Sequence, residues 1–228
     1  MIDLHSHVLP NMDDGSKSVQ ETMQMLRTSA QQSVTTMVAT PHFYANREDP
    51  ARFLRRRSQS FAQLEQEQLP VELFLGAEVT YFPGMGRCED LKQLCIGDTK
   101  LILVEMPFSA WNDRMIDEVF SLQASFGLIP VLAHVERYYD NASLLKYKDL
   151  LLREDVLFQA NAEGFLPFFG GKRMLTMLKK QQIHFLGTDC HGMNRRVPNM
   201  GEAVKKIQKS LGTQALQALD EFAAMILK

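Results

Sequence analysis

Residues 1–15 read MIDLHSHVLPNMDDG, a short apolar run that ends in two histidines and is followed by two aspartates. If the apolar run is a strand, His5 and His7 point to the same side of it, because side chains in a strand alternate with a period of two. Near the other end of the chain, Asp189 and His191 have the same spacing. Each end of the sequence thus supplies a pair of same-side groups able to bind a metal ion.

Between these two pairs, short apolar runs alternate with amphipathic ones, a pattern typical of parallel strands joined by helices. We predict strands at residues 2–5, 36–40, 71–78, 100–105, 129–134, 156–161 and 183–189. We predict a first helix capped by Ser18, and others near 50–67, 86–95, 112–126, 141–153, 171–181 and, in one or two segments, 199–227. No linker-like composition divides the chain, so we expect a single α/β domain over residues 1–228.

A residue able to bind a metal or form a hydrogen bond ends every predicted strand. These residues are His5, His7, His42, Glu78, Glu105, His134, Asn161, Asp189 and His191. An open sheet builds its site at the point where strand order reverses, whereas a barrel gathers the carboxyl ends of all its strands around one mouth. The distribution therefore predicts a TIM-like barrel with these side chains at its mouth.

This set includes five of the six histidines and three carboxylates. Each residue alone would more readily be structural, but burying so many ionisable groups together without a cation would be very costly. Imidazole and carboxylate ligands without cysteine favour Mn, Fe or Zn over Ca or Mg. We expect two or three divalent ions that lower the pKa of bound water to about 7, which is the chemistry of hydrolysis. His184, at the start of its strand, is expected to be structural.

Two arginines beside these residues indicate a phosphate site. Arg137 follows His134 by three residues and Arg196 follows His191 by five, so both are expected in loops at the mouth. Guanidinium groups bind phosphate oxygens in bidentate fashion. Four aromatic residues lie beside His42 and Arg137 in the sequence: Phe43, Tyr44, Tyr138 and Tyr139. They are expected either to flank the ring of an aryl phosphate or to pack at the rim of the barrel.

The composition of the 228 residues predicts a soluble protein in a reducing compartment. A net charge of −2, from 25 basic and 27 acidic residues, predicts neither nucleic-acid nor membrane-surface binding. The run RFLRRR at 52–57 is expected to be a solvated helix face. Three cysteines without CxxC spacing, and no apolar stretch near ~20 residues, indicate a cytoplasmic protein without disulfides or membrane insertion. The oligomeric state is left open.

The motifs DLHSH, DDG, TPH, GAE, AHVERY and TDCH follow one another in this order along the chain. The series resembles that of the polymerase and histidinol phosphatase (PHP) superfamily, and especially the bacterial PHP-type tyrosine phosphatases encoded with capsule and exopolysaccharide genes. The resemblance implies a distorted (β/α)7 barrel with a three-metal site, usually manganese, that hydrolyses phosphotyrosine by a metal-activated hydroxide. It also implies, as substrate, the phosphotyrosine-rich tail of a tyrosine kinase that controls polysaccharide export.

Carried to this sequence residue by residue, the resemblance implies ligands for each ion. The first ion would be held by His5, His7, Glu78 and Asp189, the second by Glu78, Glu105 and His134, and the third by Asp14, His42 and His191. It implies that Arg137 and Arg196 bind the phosphate. Asp14 is also a candidate general acid, whereas Asp13 and Gly15 are expected only to shape the loop.

Three alternatives use the same sequence differently. Residues Cys190 to Arg196 match C-x5-R, the signature of cysteine-dependent tyrosine phosphatases, although the neighbouring Asp189 would raise the pKa of the thiol. The metal site would serve equally in a phosphatase for a small phosphomonoester such as histidinol phosphate, or in a nuclease. A non-catalytic binding module would be expected to lack some ligands, and none is missing.

Overall fold

A computed structural model of the chain describes residues 1–139, 142–166 and 170–227. Within these residues, strands β1 to β9 are Ile2–Ser6, Thr36–Ala39, His42–Phe43, Glu72–Leu75, Glu78–Thr80, Leu101–Glu105, Ile129–Leu132, Leu157–Asn161 and Phe185–Gly187. Helices α1 to α7 are Val19–Gln31, Pro50–Ala62, Asp113–Phe126, Ser143–Arg153, Gly171–Lys179, Met200–Leu211 and Thr213–Leu227. Short 3-10 turns are Met85–Arg87, Glu89–Leu94, Val135–Tyr138 and Ala162–Phe165.

The strands are parallel and occupy seven positions around a ring. β1 pairs with β2, and β2 pairs with β4. β3 continues the position of β2 and β5 that of β4, and β3 pairs with β5. From β5 the pairing continues in order through β6, β7 and β8 to β9. Beyond the end of β9, Asp189 N donates to His5 O at 2.7 Å, and His7 N donates to Cys190 O at 2.9 Å. These bonds close the ring at the carboxyl ends of β1 and β9. The predicted barrel of seven βα positions is therefore confirmed, in a distorted form.

Two strand positions are interrupted near the mouth. β2 matches the second predicted strand, and a short strand, β3, follows it after Pro41, whereas the third predicted strand is broken into β4 and β5. Pro41 accounts for the first break, because proline has no N–H to donate to the ladder. The second break lies opposite, where Gly76 N donates to Ala39 O at 2.8 Å. The short strands beyond the breaks pair His42 with Glu78 in register, so the kink carries both residues to the mouth.

Helix starts follow the capping signals of the sequence. The Ser18 hydroxyl accepts a hydrogen bond from Glu21 N at 3.2 Å, as the predicted cap requires. Asp49 caps α2 in the same way, with Pro50 at the first helical position. The predicted start of a helix at 141 lies outside the described residues. None of the helices in the described part of the chain is both long and apolar enough to cross a bilayer.

The predicted helix at residues 86–95 is present only as 3-10 helix. The segment forms two 3-10 turns separated by Cys88, whose backbone is extended. Gly86 packs so closely on α3 that a Cβ there would lie 2.6 Å from Ser121 Cβ. The close contact with α3 therefore determines the backbone conformation of this segment, and the helical spacing of its apolar residues does not.

A cluster of apolar side chains fills the barrel and joins it to α7. It contains Leu4, Val38, Leu103, Val131, Phe185, Ala223 and Leu227, among others. Asp220 of α7 accepts a hydrogen bond from Ile2 N at 2.8 Å. α7 thus covers the amino ends of the strands and leaves the carboxyl ends, where the candidate ligands lie, open.

A β-bulge in β1 separates core from site. The pairing with β2 passes from Asp3 opposite Met37 to Ser6 opposite Ala39, so β1 has one extra residue between them. Bulges of this kind re-aim side chains next to active sites. Here Leu4 packs in the barrel cluster while the adjacent His5 side chain contacts Gln159 at the mouth.

His184 lies away from the mouth, and its protonation is expected to destabilise the fold. Its Nδ1 accepts a hydrogen bond from Phe158 N at 2.9 Å, so the neutral ring is the bonded form. Burial lowers the pKa of His184 from 6.5 to about 4. The neutral His184 ring therefore contributes fully to the free energy of unfolding above about pH 6.5, and this contribution is lost as the pH falls toward 4.

In His184→Asn, the amide oxygen replaces Nδ1 as acceptor but cannot be protonated. Between pH 7 and pH 5, we expect the free energy of unfolding of the wild type to fall relative to this variant by about 1 kcal/mol, after allowance for partial exposure of the ring. Urea unfolding at both pH values measures the difference. A difference that stays constant with pH would contradict the prediction, and the interval from pH 7 to 9 serves as the control.

Candidate metal centre

The mouth of the barrel brings together all nine residues predicted as ligands. They are His5, His7, Asp14, His42, Glu78, Glu105, His134, Asp189 and His191, and nitrogen–oxygen contacts of 3.6 Å or less connect them all. Three overlapping groups among the described residues are compact enough to share an ion: His7, Asp14, His42 and His191; His5, His7 and Asp189; and His42, Glu78 and Glu105. Their role as metal ligands stays a prediction.

Two histidines and two carboxylates face one point at the centre of this cluster. His5 Nε2 and His7 Nε2 lie 3.2 Å apart, and each is 3.3 Å from Glu78 Oε2. Asp189 Oδ1 lies 3.6 Å from His5 Nε2 and 3.3 Å from His7 Nε2. Glu78 Oε2 and Asp189 Oδ1 are buried and accept no hydrogen bond from the described residues.

The other ring nitrogen of each histidine already has an acceptor. His5 Nδ1 lies 3.1 Å from Gln159 Oε1, whose orientation is fixed because His134 N donates to the same oxygen at 2.7 Å. His7 Nδ1 lies 2.6 Å from Asp13 Oδ2. With a cation bound, the two Nδ1 atoms would carry protons and the two Nε2 atoms would offer it their lone pairs. Without one, burial would lower the pKa of His7, but Asp13 and the neighbouring carboxylates of Asp189 and Glu78 hold it well above its usual range. This donor set fits a divalent cation, with the histidines held as metal ligands usually are.

The second oxygen of Glu78 faces a second group of residues. Glu78 Oε1 lies 3.0 Å from His134 Nε2, which is 3.4 Å from Glu105 Oε1. Burial lowers the pKa of His134, but its bonds to Glu105 and Glu78 outweigh this effect and raise it to about 9. For the carboxyl of Glu78, burial acts in the opposite direction and would raise the pKa, yet the surrounding histidines hold this pKa well below its usual range. Without a cation, imidazolium protons balance the charged carboxylates.

A third group lies nearer to solvent. His42 Nε2 and His191 Nε2 lie 3.6 Å and 3.5 Å from Asp14 Oδ1, and the Asp14 side chain is 68% exposed. His42 also belongs to the central group, because its Nδ1 lies 2.9 Å from Glu78 Oε2. The ring of His7 lies 3.9 Å from that of His191, centre to centre. His42 and His7 therefore connect groups that the family resemblance assigns to separate ions.

Both arginines predicted to bind phosphate lie at the mouth and contact Asp189. Arg137 Nη2 donates to Asp189 Oδ2 at 2.7 Å, and Arg196 Nη2 donates to the same oxygen. Asn161 Nδ2 donates to it as well, at 3.0 Å, and Arg196 Nη1 lies 2.9 Å from His191 Nε2. The two oxygens of Asp189 thus have different partners, since Oδ2 binds the arginines and Oδ1 faces the histidines.

The backbone around the site is locally strained. His134, Asp189 and Arg196 have φ values of 35°, 51° and 52°, in the left-handed region that non-glycine residues seldom adopt. Such conformations persist where the surrounding structure imposes them, and they cluster at functional sites. A Cβ on Gly15 would lie 2.1 Å from His7 O, so only glycine lets this loop approach β1.

Asp13 does more than shape its loop, which corrects the expectation from the sequence. Besides contacting His7 Nδ1, its Oδ2 accepts from His42 N at 2.9 Å, and its Oδ1 accepts from Gly15 N at 2.9 Å. Burial would raise the pKa of Asp13, but its interaction with His7 holds it well below the usual range. Asp13 therefore positions two candidate ligands. Gln159 was also missed, and a polar residue inside the buried strand LFQAN is the signal that would have found it.

The aromatic residues proposed to flank an aryl ring separate into two classes. Phe43 and Tyr138 are fully buried and belong to the core, and Tyr139 packs partly buried against it. Packing is therefore the correct interpretation of these three residues.

Two aromatic rings that are not buried lie beside the candidate ligands. The Tyr44 ring lies 5.2 Å from the His42 ring, centre to centre. Phe108, which the sequence analysis missed, is 56% exposed and lies nearly parallel to the His134 ring, with the centroids 6.0 Å apart. An exposed phenylalanine after β6 carries no periodic signal, because it lies in a loop.

Cys190 does not have the environment of a nucleophile. It is fully buried in the main apolar core. Burial raises the pKa of its thiol to about 12. A nucleophilic cysteine needs an accessible thiolate, so the C-x5-R match does not describe this site.

A family model described as "Capsular polysaccharide synthesis, CpsB/CapC" matches residues 1–227. The chain belongs to this family. Among similar members, the tyrosine-protein phosphatase YwqE of Bacillus subtilis (strain 168) is 30% identical over 239 residues, which cover all of this chain and 92% of YwqE. The tyrosine-protein phosphatase CpsB of Streptococcus agalactiae serotype III (strain NEM316) is 28% identical over 241 residues, covering all of this chain and 98% of CpsB.

Solved structures agree with membership of the CpsB/CapC family. The crystal structures of YwqE from Bacillus subtilis and CpsB from Streptococcus pneumoniae, described as unique metal-dependent tyrosine phosphatases, include a chain that matches with a TM-score of 0.85 and 27% identity. The match covers all of this chain and 94% of that one. Histidinol phosphate phosphatase from Lactococcus lactis shares the fold, with a TM-score of 0.57 at 13% identity over 94% of this chain and 93% of that one. The predicted family resemblance is confirmed.

Proposed function

We propose that this member of the CpsB/CapC family is a metal-dependent protein-tyrosine phosphatase, a phosphoric monoester hydrolase. The observation that carries the proposal is the central group, in which the Nε2 atoms of His5 and His7 and two buried carboxylate oxygens face one point. The names of the relatives YwqE and CpsB support the choice of phosphotyrosine, because each relative is similar over more than nine tenths of its length.

Two or three divalent ions would be bound by the nine residues at the mouth. We assign His5, His7, Glu78 and Asp189 to one ion, Glu78, Glu105 and His134 to a second, and Asp14, His42 and His191 to a third. Ligands of imidazole and carboxylate suit manganese, with iron or zinc as alternatives. Bound there, such ions act as Lewis acids on phosphoryl oxygens and lower the pKa of water to about 7.

Arg137 and Arg196 would hold the phosphoryl oxygens of the substrate. Both guanidinium groups already lie at the mouth, where they share one oxygen of Asp189. Each guanidinium has five N–H donors, so it can bind a phosphate dianion while it keeps a bond to Asp189. Donors oriented in advance stabilise the charge that develops on the phosphoryl oxygens in the transition state.

Tyr44 and Phe108 would contact the tyrosyl ring, and Asp14 would handle a proton. Aromatic rings stabilise one another by about 0.5–1.5 kcal/mol beyond their buried area, and both residues lie at the rim. The leaving phenolate has a pKa of about 10, so protonation assists its departure. The exposed Asp14 carboxyl, near His42 and His191, is the group we assign to that transfer.

As substrate we propose the phosphotyrosine-rich tail of a bacterial tyrosine kinase that controls polysaccharide export, acting in the cytoplasm. The description of the family as capsular polysaccharide synthesis proteins supports this assignment. The exposure of Asp14 and Phe108 at the rim also supports it, because an accessible mouth admits a flexible chain.

Metal removal combined with a cysteine variant tests the proposal. We expect strong chelation to reduce hydrolysis of a phosphotyrosine peptide at least a hundredfold, with recovery on adding Mn²⁺, while Cys190→Ser retains activity within about threefold. Activity that survives chelation but disappears in Cys190→Ser would overturn the metal mechanism. Faster turnover of histidinol phosphate than of the peptide would overturn the protein-tyrosine assignment. Elemental analysis of the purified protein identifies the bound metal.

A further inference from the structure

A cavity of about 270 Å³ adjoins the candidate metal centre on the side of α2. Its wall includes His42 and Asp13, which also belong to the centre, and Tyr44 at the rim. Arg47, Arg52 and Arg56 line the rest of the cavity together with Glu48. The cavity therefore shares a wall with the candidate metal centre, so residues next to a bound phosphotyrosine, spaced about 3.3 Å apart in an extended peptide, could reach it.

The charges in this cavity do not cancel. Glu48 is the carboxylate that pairs with two of the guanidinium groups: its Oε1 lies 2.5 Å from Arg56 Nη1, and its Oε2 lies 4.0 Å from Arg52 Nε. No ion pair joins Arg47 to a carboxylate among the described residues, and its guanidinium lies over the Tyr44 ring, 4.3 Å from the centroid. The carboxylate of Asp13 is bound to His7. Three guanidinium groups therefore line the cavity with one carboxylate, that of Glu48, to balance them, which leaves an excess of two positive charges.

The arginines of the run at 52–57 have different environments. Arg52 and Arg56, four residues apart, lie on the same face of α2 and line the cavity. Arg56 Nη2 also donates to Met12 O at 2.5 Å, which ties α2 to the loop after β1. Arg57 donates to Gly76 O at 2.7 Å and packs on Phe53, so it is structural. Arg55 is exposed and does not line the cavity. Only part of the run is therefore the solvated face that the sequence predicted.

From this geometry we infer that the Arg47, Arg52 and Arg56 cavity is a specificity subsite for a second anionic group of the substrate, next to the phosphotyrosine being hydrolysed. The inference rests on the proposed function and names a substrate feature that the metal centre itself does not select. The ligand is an anionic side chain, which is either a carboxylate or a second phosphotyrosine phosphate. Guanidinium groups bind both in bidentate fashion.

The test compares three phosphotyrosine peptides of equal length and one small substrate, p-nitrophenyl phosphate. The residues flanking the phosphotyrosine are alanine in the first peptide, glutamate in the second, and include another phosphotyrosine in the third. For the wild type, we expect KM to be about tenfold lower for an anionic peptide than for the alanine peptide, with a preference that weakens as salt increases. A preference confined to the third peptide identifies the anion as phosphate.

The variants isolate the cavity from the general charge of α2. In Arg47→Gln/Arg52→Gln, the preference for anionic peptides should disappear, while kcat/KM for p-nitrophenyl phosphate stays within about twofold of the wild type. Arg55→Gln, on the same helix and with the same change of charge, should retain the preference. Equal KM values for all peptides with the wild type, or an equal loss in Arg55→Gln, would overturn the inference. If the wild type hydrolyses none of the peptides, the proposed function itself fails.

Discussion

Glu78→Gln is expected to reduce kcat/KM for a phosphotyrosine peptide on the order of a thousandfold, equivalent to about 4 kcal/mol of transition-state stabilisation. The two oxygens of Glu78 face different groups, since Oε2 lies by His5, His7 and His42 while Oε1 lies by His134. Glutamine keeps the volume but replaces one anionic oxygen by an N–H donor, which cannot bind a cation. The decrease in kcat/KM should therefore be larger for Glu78→Gln than for a substitution of any single residue at the edge of the cluster.

Thermal unfolding with and without Mn²⁺ separates this effect from misfolding. A bound ion stabilises the native state by mass action, so the wild type should unfold at a higher temperature with Mn²⁺, whereas Glu78→Gln should show little increase. Without metal, Glu78→Gln should unfold at a somewhat lower temperature than the wild type because it lacks the ion pairs with the histidines, so the Mn²⁺-induced rise in each protein is the quantity compared. Glu72→Gln, an exposed glutamate on β4, is the matched control and should behave as the wild type. A Glu78→Gln protein with more than a tenth of wild-type activity would refute the assignment.

Asp13→Asn is expected to lower activity by about 10- to 100-fold, mainly through weaker metal binding. Asp13 holds the proton on His7 Nδ1 and also accepts from His42 N. An amide removes the negative charge and can present its N–H₂ to His7, which would favour the tautomer with the proton on Nε2. That tautomer has no lone pair for an ion.

The metal dependence of activity measures this change. We expect the Mn²⁺ concentration for half-maximal activity to rise in Asp13→Asn, with much of the rate recovered at high Mn²⁺. Asp117→Asn, an exposed residue on α3, removes the same charge far from the mouth and is the control. Unchanged metal dependence in Asp13→Asn would show that Asp13 only shapes its loop.

The sequence predicted the seven positions of the barrel because buried parallel strands are short apolar runs, as LILVE in β6 illustrates. It did not predict the break at Gly76, because the apolar pattern of residues 71–79 continues across that glycine, nor the short strand β3 beyond Pro41. Pro41 interrupts the ladder after β2, but the partners on either side depend on pairing: β2 pairs with β4, whereas β3 pairs with β5. Pairing of this kind depends on the neighbouring strand and leaves no periodic signal in either one.

The candidate ligands were predictable because parallel topology brings the ends of the strands together, so a residue's position in its strand already indicates where it lies. Loop residues lack this information. Asp13 lies in a DDG sequence that favours a turn, and its contact with His7 requires the approach that Gly15 permits. Phe108 likewise gained its place over His134 only from the tertiary fold.

The closure of the ring at β1 and β9 has a consequence for the order of folding. His5 and His7 come from the first strand and Asp189 from just beyond the last, so the central group joins residues that are almost the whole described chain apart. Contacts of such high sequence separation require the closure of a long loop, and they form late. During synthesis, His5 and His7 leave the ribosome well before Asp189, so the central group cannot form until β9 has been synthesised. We therefore expect the centre to assemble only once the barrel has closed, so that tight metal binding at this point would report a closed barrel.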